Sequence, residues 1–158
     1  IGVLATETTV RSSYYKNAIC SKKENSIIFQ QECPEFVSEI EKERLNLKKL
    51  NYLSDLYLSP LLKKNIQELI LGCSHYPLIY DLLKEKIDSK IKIIDPSKVL
   101  IKKFNKCFTI PEPGCYQSLS YDNIKFFVTA ENDLFSKKVK FWLEINKEIS
   151  LVNLGSNV

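Results

Sequence analysis

A thiol, a hydroxyl and an imidazole stand in a row at Cys73-Ser74-His75, between the apolar run Leu69-Ile70-Leu71-Gly72 and Tyr76-Pro77. An apolar strand ending at a glycine, with a proline opening the next helix, puts all three groups at the carboxyl end of a strand, where parallel α/β sheets bind their ligands. A helix beginning near Pro77 directs unpaired N–H groups and partial positive charge at the same spot, which favours a carboxylate or a thiolate there. A thiol beside an imidazole suits acid/base work or nucleophilic attack. A single cysteine is more often inert packing, and only the strand-end setting sets Cys73 apart. His75 is the one histidine of the chain, and its place two residues after the thiol favours proton handling over packing.

The elements that must position these groups follow from apolar periodicity. Strand candidates are the apolar runs 1–4, 27–30, 69–72, 91–94 and 124–129. Helical period occupies 8–20, 35–44, 45–58, 77–86, 96–108 and 134–145. The alternation predicts an α/β fold with a mostly parallel sheet wrapped by helices. Pro77 and Pro96 each follow a strand candidate and mark a strand-to-helix turn. Pro111, Pro113 and Gly114 break the pattern, and the polar stretch through Asp122 reads as a loop. Beyond it, the last strand and a helix carrying Phe135, Val139, Trp142 and Leu143 make a separate βα unit that needs a sheet to join. Nothing in the residues says whether that sheet lies in this chain.

The composition narrows the classes. With 158 residues, 44% hydrophobic and 27% charged, the chain fits one globular domain or two small lobes. No run approaches the roughly 18 apolar residues of a membrane span. The opening Ile1-Gly2-Val3-Leu4 lacks a basic segment and reads as a strand in progress rather than a signal peptide. The lysines behind the net charge of +4 are dispersed, as on solvated helix faces rather than a nucleic-acid surface. Cys20, Cys33, Cys73, Cys107 and Cys115 are odd in number and contain no CxxC pair, which disfavours a disulfide scaffold and a zinc site. No metal is expected, and free thiols suit a reducing cytoplasm. By pattern alone, Thr6 and Thr9 fit a helix cap as well as a ligand site. Glu41, among Glu39, Lys42, Glu43 and Arg44, fits a solvated helix face.

Three segments in order carry a family resemblance. Gly72-Cys73-Ser74-His75-Tyr76-Pro77-Leu78 resembles the Gly-Cys-Thr-His-Tyr/Phe-Pro-Leu motif of glutamate racemases, with Ser74 in place of Thr. The segment from Gly2 to Ser12 (Gly-Val-Leu-Ala-Thr-Glu-Thr-Thr-Val-Arg-Ser) is similar to their Gly-Val-Ile-Gly-Thr-x-Ala-Thr-Val-x-Ser, with Ala5 in place of Gly. Cys33-Pro34-Glu35-Phe36-Val37, followed by Glu41, resembles their Cys-Pro-Leu-Phe-Val…Glu. Asp95 and Phe127-Val128-Thr129 match weaker family features.

The resemblance implies cofactor-independent interconversion of L- and D-glutamate for peptidoglycan synthesis, by two thiols, one from each of two lobes. Cys73 matches the second thiol, and His75 would exchange a proton with it. Thr6, Thr9 and Ser74 would bind the substrate's carboxylate and ammonium, and Glu41 would stand as an acidic group behind them. Family members begin with an Asp-Ser-Gly-rich segment and a first Cys in a Cys-Asn-Thr motif, and neither occurs here. The chain therefore looks like the second half of such an enzyme, inactive alone. Residues 1–94 would form one α/β lobe, and 95–158 would return to complete the other. The implied partners are glutamate, the N-terminal half and, in the intact protein, a second copy, with no nucleic acid or membrane. An aspartate- or hydantoin-type racemase, a Cys/His hydrolase and a non-catalytic α/β module are the alternatives. His75 speaks against the first, because aspartate-specific relatives usually carry another residue there.

Overall fold

The computed structural model describes residues 1–107 and 124–155. The loop expected through Pro111, Pro113 and Gly114, with Cys115, lies outside them. The chain divides into two compact units, Ile1–Thr109 and Ile110–Val158.

In the first unit four strands, β1 (Gly2–Ala5), β2 (Phe29–Glu32), β3 (Glu68–Leu71) and β4 (Lys92–Ile94), form one sheet in the order β2-β1-β3-β4. Every pairing is parallel, with Gly2 opposite Phe29 and Leu69. The parallel α/β architecture read from the sequence is the one found. Central β1 is buried throughout and β3 nearly so, whereas the edge strands β2 and β4 are partly exposed. This is the distribution that two covered faces impose on a parallel sheet.

The pleat sorts the side chains between those faces. Val3, Ala5 and Ile70 gather with Val10, Tyr15 and Ile19 from α1 (Glu7–Arg11) and α2 (Tyr14–Cys20). The opposite face meets α3 (Phe36–Ile40), α4 (Leu47–Leu62) and α5 (Tyr80–Glu85). There Phe36 sets its ring edge-on to Tyr57 and Tyr76, at 5.0 and 5.3 Å. Leu4, Leu50, Leu53, Leu58 and Leu83 are fully buried. Asn46 caps α4 by accepting from the Lys49 N–H at 3.1 Å. The sheet's last strand leads into α6 (Pro96–Cys107).

Several boundaries differ from the sequence reading. The helix expected over 8–20 is two helices, because Ser13 adopts a left-handed φ of 53° between α1 and α2. The second strand is shifted toward the carboxyl side, to Phe29–Glu32, because its register is set by β1 rather than by its most apolar residues. The segment over 35–44 is helical only at Phe36–Ile40, while α4 runs on through Pro60 to Leu62. At Pro77 the chain makes a four-residue 3-10 turn, Tyr76–Ile79, before α5 begins.

The second unit contains β5 (Phe126–Val128), α7 (Asn132–Leu143) and β6 (Ile149–Leu151). The strand expected over 124–129 and the helix expected over 134–145 correspond to β5 and α7. β6 was not foreseen. It pairs in parallel with β5, placing Ile149 opposite Phe126, so this βα unit has a two-stranded sheet of its own. Val139 and Ile149 are buried. Phe127, Phe141 and Leu151 stay exposed.

Candidate functional site

Gly72 begins the site. Its N–H donates to the Leu4 carbonyl at 2.7 Å. A Cβ at this position would stand 2.8 Å from Leu4 O, 3.0 Å from Tyr15 Cε2 and 3.1 Å from Ala5 Cβ. Only glycine lets β3 close this tightly on β1 and still deliver the next residue to the sheet's carboxyl edge. That residue is Cys73. Its carbonyl accepts from the Tyr76 N–H at 3.2 Å, and the His75 carbonyl accepts from the Leu78 N–H at 3.0 Å, which closes the 3-10 turn. Fully buried Tyr76 anchors this turn, with its hydroxyl donating to the Cys33 carbonyl at 3.5 Å. The helix dipole expected to favour a thiolate is reduced here to that single turn and the six-residue α5.

What stands beside the thiol is an imidazole. Cys73 Sγ lies 3.8 Å from His75 Nδ1, and His75 Nε2 lies 2.9 Å from Glu41 Oε1. Glu41 sits at the carboxyl end of α3, 34 positions earlier in the chain. A carboxylate accepting from Nε2–H leaves the Nδ1 lone pair facing the thiol, so the proton on sulfur has an acceptor. Transfer along this line would produce a thiolate and an imidazolium, the latter stabilised by Glu41. The solvated helix face that pattern alone suggested for Glu41 is thus joined to a contact with His75.

Thr6 and Thr9 stand beyond the carboxyl end of β1, the strand next to β3. Thr6 is the N-cap of α1, accepting from the Thr9 N–H at 3.4 Å, and the two hydroxyls lie 2.9 Å apart. The capping alternative is therefore realised, at the same sheet edge as Cys73. Ser74 is exposed. It lines an open cleft of about 210 Å³ together with Cys73, Gly72, Tyr15, Asp95 and Ser97.

Two of these residues escaped the sequence reading. Tyr15 packs with Val10 and Ile19 against the sheet, and its i, i+4 spacing from Ile19 was the available signal. Ser97 completes an Asp-Pro-Ser cap for α6: buried Asp95 accepts from the Ser97 N–H at 2.9 Å and from its hydroxyl at 2.6 Å.

Burial pushes the Cys33 thiol up to about 12, against smaller opposing effects of Tyr76 and the Ala5 backbone. Burial also raises Tyr15, with Cys73 and Tyr14 adding to it, and holds Tyr76 far above the usual phenol range. Among the described residues Cys20, Cys33 and Cys73 are free, and no three His, Cys, Asp or Glu side chains are grouped to hold a metal. Among those residues, too, no helix is long and apolar enough to cross a membrane.

No protein-family profile matches the chain. Its sequence is 40% identical over 154 residues to a glutamate racemase of Prochlorococcus marinus, covering 98% of this chain and 58% of that protein. A glutamate racemase of Synechococcus is 34% identical over 153 residues, with 96% and 58% covered. Among solved structures, glutamate racemase from Francisella tularensis in complex with D-glutamate is 30% identical, with a TM-score of 0.74 over 98% of this chain and 58% of that one. That of Bacillus anthracis, at 23% identity and a TM-score of 0.76, shares the fold. The resemblance read from the motifs is thereby borne out: the chain is homologous to glutamate racemases along nearly its whole length. It spans about 58% of the length of these relatives.

Proposed function

We propose that the chain carries one of the two proton-transferring thiols of a glutamate racemase and forms the corresponding half of its active site. The observation that carries this reading is the line Cys73–His75–Glu41 at the carboxyl edge of a parallel sheet. Racemisation without a cofactor removes the α-proton on one face of the substrate and returns a proton on the other, so it needs acid/base groups on both sides of the α-carbon. Cys73 serves one face, as thiolate to take the proton or as thiol to give it. His75 accepts and returns the sulfur's proton, and Glu41 holds the imidazole. Thr6, Thr9 and Ser74 bind the α-carboxylate and ammonium through hydroxyls and neighbouring N–H groups. The second thiol belongs to the part of a racemase that these 158 residues do not span. Glutamate is the substrate favoured by the named relatives, one of which holds D-glutamate. In a cell such an enzyme works in the cytoplasm and supplies D-glutamate to peptidoglycan.

Residues from Asp95 onward return to the other lobe in this reading. Support comes from α6, whose Val99, Leu100 and Ile101 are exposed. An apolar helix face of this kind calls for a covering partner.

The test is circular dichroism of D-glutamate solutions, combined with deuterium uptake at the α-carbon from heavy water. The purified 158-residue chain should do neither. Co-expressed with the complementary half from a relative, it should restore both, and Cys73→Ala should lower turnover by about 10²- to 10⁴-fold. Sustained racemisation by the 158 residues alone, with host enzyme excluded, would overturn the division of the site.

A further inference from the structure

Tyr15 belongs to the cleft at Cys73, yet the proton line through His75 and Glu41 does not involve it. Its ring lies directly on the backbone that presents the thiol, since Tyr15 Cε2 is one of the three atoms nearest to where a Gly72 Cβ would stand, at 3.0 Å. The same side chain packs on Val3, Ala5 and Ile70, and its ring meets Tyr14 edge-on at 6.1 Å. It reaches this place because the left-handed turn at Ser13 restarts the chain as α2 at Tyr14. A single uninterrupted helix over these residues would carry Tyr15 elsewhere, since five added helical residues rotate a side chain by about 140°. The cleft it lines with Cys73, Ser74 and Asp95 does not include His75 or Glu41 among its walls.

We propose that Tyr15 is a positioning residue for Cys73: its ring braces the Gly72–Cys73 backbone and, as one wall of the open cleft, narrows the approach of water to the thiol from that side. On the racemase reading, on which its catalytic consequence rests, this keeps the thiol's proton for the substrate and for His75. Burial of the phenol beside the thiol agrees with its raised pKa, to which Cys73 contributes. The titratable groups that surround Cys73 are His75, with Glu41 behind it, Tyr15 and Asp95 along the cleft, and Cys33 and Tyr76 on the other side.

The experiment reads the thiol directly and needs no racemase activity. Alkylation of Cys73 by iodoacetamide is followed peptide by peptide by mass spectrometry in the purified 158-residue chain, from about pH 6 to 10. Tyr15→Ala should raise the Cys73 rate at neutral pH about tenfold and move the midpoint of its pH profile, while Tyr15→Phe should stay within about twofold of the parent rate. If Tyr15→Ala loses the native far-UV spectrum, Tyr15→Leu keeps the apolar contact on Val3 and Ile70 while opening the cleft, and takes its place. A folded Ala or Leu variant with the parent rate and the parent midpoint overturns the proposal. In the co-expressed enzyme the folded variant should lose kcat with KM little changed. Absence of turnover in the unsubstituted assembly would instead count against the racemase reading, and the alkylation result would still decide the role of Tyr15.

Discussion

The Glu41 carboxylate and the His75 imidazole, 34 residues apart in the chain, meet at 2.9 Å with side chains 43% and 31% exposed. A pair so open to water adds little to folding, typically below about 1 kcal/mol. Its consequence is chemical, because the contact decides which imidazole nitrogen faces Cys73. Glu41→Gln should therefore leave the urea midpoint nearly unchanged yet lower turnover of the co-expressed enzyme by about tenfold or more. His75→Asn should cost more than Glu41→Gln and less than Cys73→Ala. Equal losses of stability and turnover in Glu41→Gln would show the contact to be structural.

Cys33 makes the chain sensitive to alkali. Its thiol titrates near 9.0 when unfolded and at about 12 in the fold. Between those values the unfolded chain has released a proton that the folded chain still holds, so raising the pH favours unfolding. The stability present below about pH 9 is lost progressively toward pH 12, by about 4 kcal/mol in the limit. The raised Tyr76 acts with the same sign at higher pH. Urea titrations at rising pH should show a steeper decline for the parent chain than for Cys33→Ala.

Two glycines, Gly2 in β1 and Gly72 just past the end of β3, should respond differently to alanine. A Cβ at Gly72 meets the Leu4 carbonyl oxygen at 2.8 Å, and backbone in a parallel sheet cannot step aside cheaply. A Cβ at Gly2 meets Ile66 Cδ1 at 2.7 Å, the far end of a flexible side chain. Gly72→Ala should cost about 1–3 kcal/mol and Gly2→Ala less. Thermal unfolding of the two variants checks the ranking.

The apolar face of α6 should make the isolated chain associate with itself. Leu100 and Ile101 are 67% and 57% exposed. Leu100→Glu with Ile101→Glu should raise the monomer fraction in light scattering, and should also weaken reassembly with the complementary half. A chain that is already monomeric, with α6 as protected from hydrogen exchange as β1, would contradict this.

The sequence revealed the strands that lie deep in the sheet and blurred whatever tertiary contacts decide. Leu69-Ile70-Leu71 announced β3 because both its faces are covered. β2 was misplaced because Gln30, Gln31 and Glu32 carry no apolar signal, and only their register on β1 makes them a strand. β6 was missed for a similar reason: three residues, one of them Ser150, are too short a pattern to stand out. At the site, Cys73 and His75 were legible as neighbours in sequence. Only the family motif put Glu41 near the site, since its own surroundings suggested a charged helix face, and its contact with His75 emerged with the fold. Tyr15 stayed hidden because the Ser13 turn, which directs it onto Gly72, has no glycine or proline to mark it.

The central place of β1 also shapes how the molecule is made. β1 leads these strands out of the ribosome, but β3, its inner neighbour, follows only after α4. At ordinary synthesis speeds that interval lasts roughly several seconds. For that time Val3, Leu4 and Ala5 have only β2 to pair with, and the other edge of β1 is open to any extended segment nearby. Parallel pairings across such long connections also close slowly once their parts are present. Yield in expression should therefore depend on translation speed and chaperone supply at least as much as on the final stability of the sheet.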